Sequence, residues 1–120
     1  MRVMLVDDEC PCLEELEYLL KSFSDIEVTG SYANPLEALS AAESSLPDLV
    51  FLDIGMPYLS GVELAEKIHQ IDDKVAVVFI SAHASNFSGI RLRKPFECLL
   101  KPMSQKKLNA VMERLNVKRV

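Results

Sequence analysis

Three runs of this chain are apolar without alternation: Val3-Met4-Leu5-Val6, Leu49-Val50-Phe51-Leu52 and Val75-Ala76-Val77-Val78-Phe79-Ile80. A strand with one wet face alternates apolar and polar residues, so an unbroken run means that both sides of the pleat are covered. Several such strands call for helices above and below a parallel sheet, and helical periods fill the gaps between them. Leu13, Leu16, Leu20 and Phe23 mark a first helix, with Pro11 near its opening turn, where a missing N–H costs nothing. Asn34-Pro35-Leu36-Glu37 reads as N-cap, N1 proline and acidic N3, followed by Leu39 and Ala42. Ser60-Gly61-Val62-Glu63 is a capping box ahead of Leu64, Ile68 and Ile71, and a last helix opens near Ser104 with Leu108, Val111, Met112 and Leu115.

Two weaker strands complete the pattern. Ile26-Glu27-Val28-Thr29 alternates and belongs at a sheet edge, whereas Cys98-Leu99-Leu100 is short and stops at Lys101-Pro102. The stretch His83 to Phe96 is polar, carries Gly89 and Pro95 and has little period, so a short or irregular fourth helix is expected there. Five βα units with right-handed crossovers follow, and a sheet of this kind opens its ligand crevice at the carboxyl ends of its strands.

At 120 residues the chain has room for one domain, taken as 1–120, which either stands alone or starts a linker to a further, absent domain at 118–120. Thirteen Lys plus Arg against eighteen Asp plus Glu give a net charge of −5, which offers nucleic acid no attraction by the domain as a whole. The longest apolar run is far short of the roughly 20 residues that span a bilayer, and the N-terminus has no signal-peptide core, so a cytoplasmic location is expected. Three cysteines, two of them as Cys10-Pro11-Cys12, make no disulfide framework and fit reduced thiols. Cys10 and Cys12 read as loop thiols beside an acidic pocket rather than as a zinc site.

The chemistry lies where the strands end. The first closes in Asp7-Asp8, the third in Asp53, the fourth in Ser81 and the fifth in Lys101-Pro102, all at one rim of the sheet. Singly, each is an ordinary cap or a solvated lysine. Together, three carboxylates at one rim repel one another unless a cation or a proton joins them. A hard divalent ion, Mg²⁺ or Mn²⁺, suits Asp8, Asp53 and a backbone carbonyl, with water and a phosphoryl oxygen completing its shell. A carboxylate is also a nucleophile toward phosphorus, and phosphoryl transfer then requires positive charge and donors, which Lys101 and Ser81 supply.

Leu5-Val6-Asp7-Asp8-Glu9, Leu49 through Pro57, Ser60-Gly61, Val78-Phe79-Ile80-Ser81-Ala82 and Leu99-Leu100-Lys101-Pro102, in this order and spacing, resemble the receiver domain of bacterial response regulators over nearly the whole chain. The resemblance implies a flavodoxin-like (βα)5 three-layer α/β sandwich with strand order 2-1-3-4-5. It implies a phosphoacceptor signalling switch, not a turnover enzyme, in which Asp53 takes a phosphoryl group from a sensor histidine kinase. It further implies metal held by Asp8, Asp53 and the Gly55 carbonyl, with Asp7 acting through water. Ser81 would follow the phosphoryl group and Lys101 would pair with it, across a cis Lys101–Pro102 bond. The Asn34–Leu39 segment and the Leu99-Leu100 doublet look most like receivers that precede LytTR-type DNA-binding domains, and such receivers often form homodimers. The rival pair Lys94-Pro95 follows Ser81 too closely for an intervening helix and strand, and is preceded by Arg91-Leu92-Arg93 rather than an apolar run.

The chain departs from the family where an aromatic residue usually reports phosphorylation, three positions before the lysine: here it is Cys98. Phe96 or Phe87 are the available substitutes, and an unusual output surface is expected. Two positions that tune acyl-phosphate lifetime are Gly55, which neither obstructs nor assists water, and His83, which titrates near neutrality when unperturbed and would make dephosphorylation pH-dependent. The competing reading is a pseudo-receiver, a phosphorylation-independent interaction module, favoured by Cys98 and opposed by the complete set of Asp7, Asp8, Asp53, Ser81 and Lys101. A phosphatase of the haloacid dehalogenase type needs a second Asp two positions after its nucleophile, where this chain has Gly55 or Glu9.

Overall fold

The computed structural model describes residues 1–117, and the proposed linker at 118–120 lies outside the described residues. Five strands form one sheet: β1 (Arg2–Val6), β2 (Glu27–Tyr32), β3 (Leu49–Asp53), β4 (Ala76–Ser81) and β5 (Glu97–Leu100), in the order β2-β1-β3-β4-β5 and parallel throughout. Four helices cover it: α1 (Cys10–Leu20), α2 (Pro35–Ser44), α3 (Gly61–Ile71) and α4 (Gln105–Arg114). This is the α/β flavodoxin-like arrangement with strand order 2-1-3-4-5 that the family resemblance implied, built on the doubly covered parallel sheet that the unbroken apolar runs called for. β1 and β3 are buried on both faces because each pleat feeds two cores. One core joins Val3, Leu5, Phe51 and Ile80 to Leu16 and Leu20 of α1 and Leu108 and Met112 of α4. The other joins Met4, Val6, Leu52 and Phe79 to Ala38 and Ala42 of α2 and Leu64 and Ile68 of α3.

The edge strand begins at Glu27 and runs on to Tyr32, beyond the alternating tetrapeptide, after a register shift between Val3 and Met4 of its neighbour. The Tyr32 ring folds over Gly30, where a Cβ would stand 2.6 Å from it and make the ring shift. The helix starts follow their local chemistry. Asn34 accepts from the Leu36 N–H, and Ser60 and Glu63 form the reciprocal capping box.

The fourth βα unit lacks an α-helix. Between β4 and β5 the chain makes only a 3-10 turn (Ala84–Phe87) and then an irregular segment. Gly89 at φ +78° and Pro95 both break helical continuation, and the apolar residues fall without a stripe. Phe87, Ile90, Leu92 and Phe96 nonetheless pack on the second core, and the Phe96 ring meets Phe79 edge-on at 5.2 Å. The segment thus covers the sheet face in place of a helix.

Candidate functional site

Register aligns the site. Val6 pairs with Leu52, Asp53 with Ile80, and Ser81 with Leu100, so the first polar residues after four strands meet at one rim. Sequence neighbours then divide the work: just past the end of β1, Asp7 is buried at 1% exposure, whereas Asp8 lies in solvent. Asp53 is 7% and Ser81 3% exposed. α3 must start close against the end of β3, and Gly61 allows it, since a Cβ there would collide with the Asp53 carbonyl oxygen.

The carboxylates of Asp7, Asp8 and Asp53 offer oxygens that all lie within 4.8 Å of one another. Asp7 Oδ1 accepts from the Glu9 N–H at 2.9 Å, and Asp53 Oδ1 from the Gly55 N–H at 3.2 Å. Asp7 Oδ2 is fully buried and accepts no well-directed hydrogen bond. Among the described residues its charge is matched by the Lys101 ammonium at 3.0 Å, an ion-pair contact. Burial first, and the Asp7 charge second, push the Asp53 carboxyl up to about 7, while Lys101 and the Gly55 N–H pull the other way. A site that holds a proton near neutrality in this way is one that a cation would discharge.

Lys101 sits at the centre of these carboxylates, its ammonium 2.7 Å from Glu9 Oε1, 3.0 Å from Asp7 Oδ2 and 3.8 Å from Asp53 Oδ2. Burial lowers its pKa, but the hydrogen bond to Glu9 and the close contact with the Asp7 carboxylate outweigh that and raise it above the ordinary lysine value. Glu9, in turn, is held below the usual carboxylate range by its hydrogen bond from Lys101. The Lys101–Pro102 peptide is cis. Ser81 Oγ accepts from the His83 N–H at 3.2 Å and from Asn86 Nδ2 at 2.8 Å. Asp8, Gly55, His83 and Asn86 complete the walls of a cleft of about 350 Å³ around this group.

All the residues singled out at the strand ends therefore gather at one cleft, with Gly55 and His83 on its wall. Cys98 does not join them. It lies half-buried on β5 opposite Phe79, where burial pushes its thiol up. Sequence reasoning left two site residues without a role. Glu9 was visible in the Asp-Asp-Glu run, yet its hold on Lys101 spans 92 positions of chain. Asn86 gave no signal, because it reaches Ser81 from an aperiodic turn. Cys12 lies near Asp7 and Glu9, but Lys101 already stands between those carboxylates where a soft cation would sit. Cys10 and Cys12 are not loop thiols, since both lie in the first turn of α1, where burial, reinforced by Asp7, pushes the Cys12 thiol up.

A larger groove of about 500 Å³ lies between α3 and residues 91–94, crossed by an ion pair of Lys94 with Asp73 at 3.3 Å. Its charged groups are exposed and of mixed sign, whereas the smaller cleft concentrates buried carboxylates. The chemistry resides in the smaller one.

The response regulator receiver domain, as a family, matches residues 3–113 of this chain. The transcriptional regulatory protein BtsR of Salmonella typhi is 35% identical over 119 residues, covering 99% of this chain and 49% of that protein. The chain spans about half the length of the curated relatives it matches. Among solved structures, the response regulatory domain of protein mrkE from Klebsiella pneumoniae is 32% identical with a TM-score of 0.83, covering 97% of this chain and 95% of that one. A chain of the CheX–CheY–BeF3–Mg complex from Borrelia burgdorferi shares the fold at a TM-score of 0.84 and 24% identity, covering 98% and 90%. No helix among the described residues is long and apolar enough to cross a membrane.

Proposed function

The chain belongs to the response regulator receiver family, signalling modules of two-component systems, and we propose that it acts as a phosphoacceptor switch with Asp53 as the acceptor. The observation that carries this reading is the convergence of Asp7, Asp8 and Asp53 at one rim, with Lys101 against Asp7 and Asp53 and a buried Asp7 oxygen that accepts no hydrogen bond. A purely structural fold has little reason to gather three carboxylates at one rim, since their charges repel unless a cation or a proton joins them.

A hard divalent cation, Mg²⁺ or Mn²⁺, fits this donor set: every available atom is an oxygen, and the orphaned Asp7 oxygen faces the same group. Asp8, Asp53 and the Gly55 carbonyl would hold it directly, with Asp7 reaching it through water. When bound, the ion supplies charge neutralisation for the transferring phosphoryl oxygens. Asp53 supplies the nucleophile: a carboxylate oxygen bonds to phosphorus as the bond from phosphorus to the kinase's histidine nitrogen breaks. Lys101 offsets the charge that remains on the phosphoryl group, and Ser81 donates a hydrogen bond to it. These contacts exist only in the phosphorylated state, which is what gives the switch its differential free energy. Gly55 leaves the approach of hydrolytic water open, and His83 stands on the cleft wall within reach of that water. The partners are then a sensor histidine kinase and, in a longer protein, a DNA-binding output domain of the LytTR kind.

The test is intact mass after incubation with Mg²⁺ and acetyl phosphate, beside an Asp53→Asn variant and a chelated control. One added phosphoryl group, absent from both controls, is the expected result. No gain in the wild type would favour the second reading, a phosphorylation-independent interaction module. Cys98 and the absence of an α-helix between β4 and β5 support that reading because they remove the usual aromatic relay and reshape the face beside it.

A further inference from the structure

We propose that Asn86 is a positioning residue: its side-chain amide fixes the Ser81 hydroxyl as a donor and ties the 3-10 turn to the phosphoacceptor cleft. The proposal rests on the reading of Asp53 as phosphoacceptor. Ser81 is buried at the end of β4, and a serine hydroxyl has one proton and two lone-pair directions. Both lone pairs are already occupied by donors, the His83 N–H at 3.2 Å and Asn86 Nδ2 at 2.8 Å. The proton is the one remaining valence, so the hydroxyl has only a donor to offer to the cleft it shares with Asp53 and Lys101. A phosphoryl group on Asp53 brings acceptor oxygens to that cleft, and the hydroxyl is set to meet them without first breaking a bond of its own.

Both groups that load the hydroxyl come from one short segment. Asn86 is itself pinned by its backbone N–H, which donates to the His83 carbonyl at 3.0 Å. The next residue, Phe87, packs on the second core together with Ile90, Leu92 and Phe96. Any displacement of Ser81 Oγ therefore carries the Asn86 amide with it or releases it, and the turn registers either event. Residue 98 makes no comparable link, being a half-buried thiol paired with Phe79 along the strand. Asn86 thus links the site directly to the surface at residues 84–96.

A double-mutant cycle on the full chain tests this, using wild type, Asn86→Ala, Ser81→Ala and the double variant. Three quantities are read: the phosphorylation rate with acetyl phosphate and Mg²⁺, Mg²⁺ affinity by calorimetry, and backbone hydrogen exchange at residues 83–88. Asn86→Ala is expected to slow phosphorylation about fivefold, the worth of one net hydrogen bond, with no further loss in the Ser81→Ala background and no change in Mg²⁺ affinity. Exchange at the turn should rise equally in both single variants and no further in the double. A rate for Asn86→Ala indistinguishable from wild type, or an undiminished effect when Ser81 is absent, overturns the proposal. Should wild type take up no phosphoryl group, the phosphoacceptor reading is what fails, and the exchange cycle alone then decides the Asn86–Ser81 link: additive exchange effects reject it.

Discussion

Replacing Asp53 by Asn in the metal-free protein should stabilise it, and should do so only above acidic pH. Asp53 titrates near 3.8 when unperturbed and is raised to about 7 in the fold, chiefly by burial and then by Asp7. A carboxyl with a raised folded-state pKa keeps its proton where the unfolded chain has lost it. Native stability from this group is therefore intact below about pH 4 and falls as pH rises toward 7, then levels off. The span between the two values corresponds to a ceiling of about 4 kcal/mol at 1.36 kcal/mol per unit. The mouth of the cleft is open to solvent and Lys101 can relax toward Asp53, so screening reduces this to roughly 2 kcal/mol. Asparagine keeps the acceptor for the Gly55 N–H and removes the charge, so little is lost in exchange. With an unfolding entropy near 2.1 cal/mol/K per residue, the gain is about 8 °C in melting temperature. The assay is thermal unfolding followed by circular dichroism, at pH 8 and at pH 4, without divalent metal and then with Mg²⁺. Wild type should gain stability from Mg²⁺ and the variant much less, because the ion relieves the same repulsion that the substitution removes. An equal gain at both pH values, or destabilisation at pH 8, would refute the claim that charge at Asp53 is what strains this site.

Other substitutions probe the neighbouring supports. Lys101→Met leaves Asp7 and Asp53 without their cation and should cost about 2–4 kcal/mol at neutral pH in chemical denaturation, with part of the loss recovered on adding Mg²⁺. Gly61→Ala drives a methyl group into the Asp53 carbonyl and should cost about 1–3 kcal/mol while weakening Mg²⁺ binding measured by calorimetry. Ser60→Ala removes only the cap of α3 and should cost about 1 kcal/mol with Mg²⁺ binding unchanged, which separates helix stability from site geometry.

The fold was legible because its cause is local and repeated. Val3–Val6, Leu49–Leu52 and Val75–Ile80 can be buried on both faces only inside a parallel sheet, and the stripes at Leu13, Leu16 and Leu20 and at Leu64 and Ile68 supply its covers. Polar residues that follow such strands reach one rim by topology alone, so Asp7, Asp8, Asp53, Ser81 and Lys101 were readable as a group. The stretch from His83 to Phe96 was legible only as irregular. Its path depends on where Phe87, Ile90, Leu92 and Phe96 find the second core, which no period in the sequence records.

Sequence by itself thus determined the layers, the strand ends and the residue types of the cleft, since burial periodicity and chain direction are written position by position. Tertiary structure alone decided the allegiances among those residues. Lys101 lies closer to Glu9 and Asp7 than to Asp53, one Asp7 oxygen is sealed without a good donor, and the Ser81 hydroxyl is loaded by an amide from an aperiodic turn. Each of these depends on differences of about an ångström between groups distant in sequence. Such differences follow from how the strands, the 3-10 turn and the cores pack together, because hydrogen-bond and ion-pair energies change steeply over that distance while residue types do not.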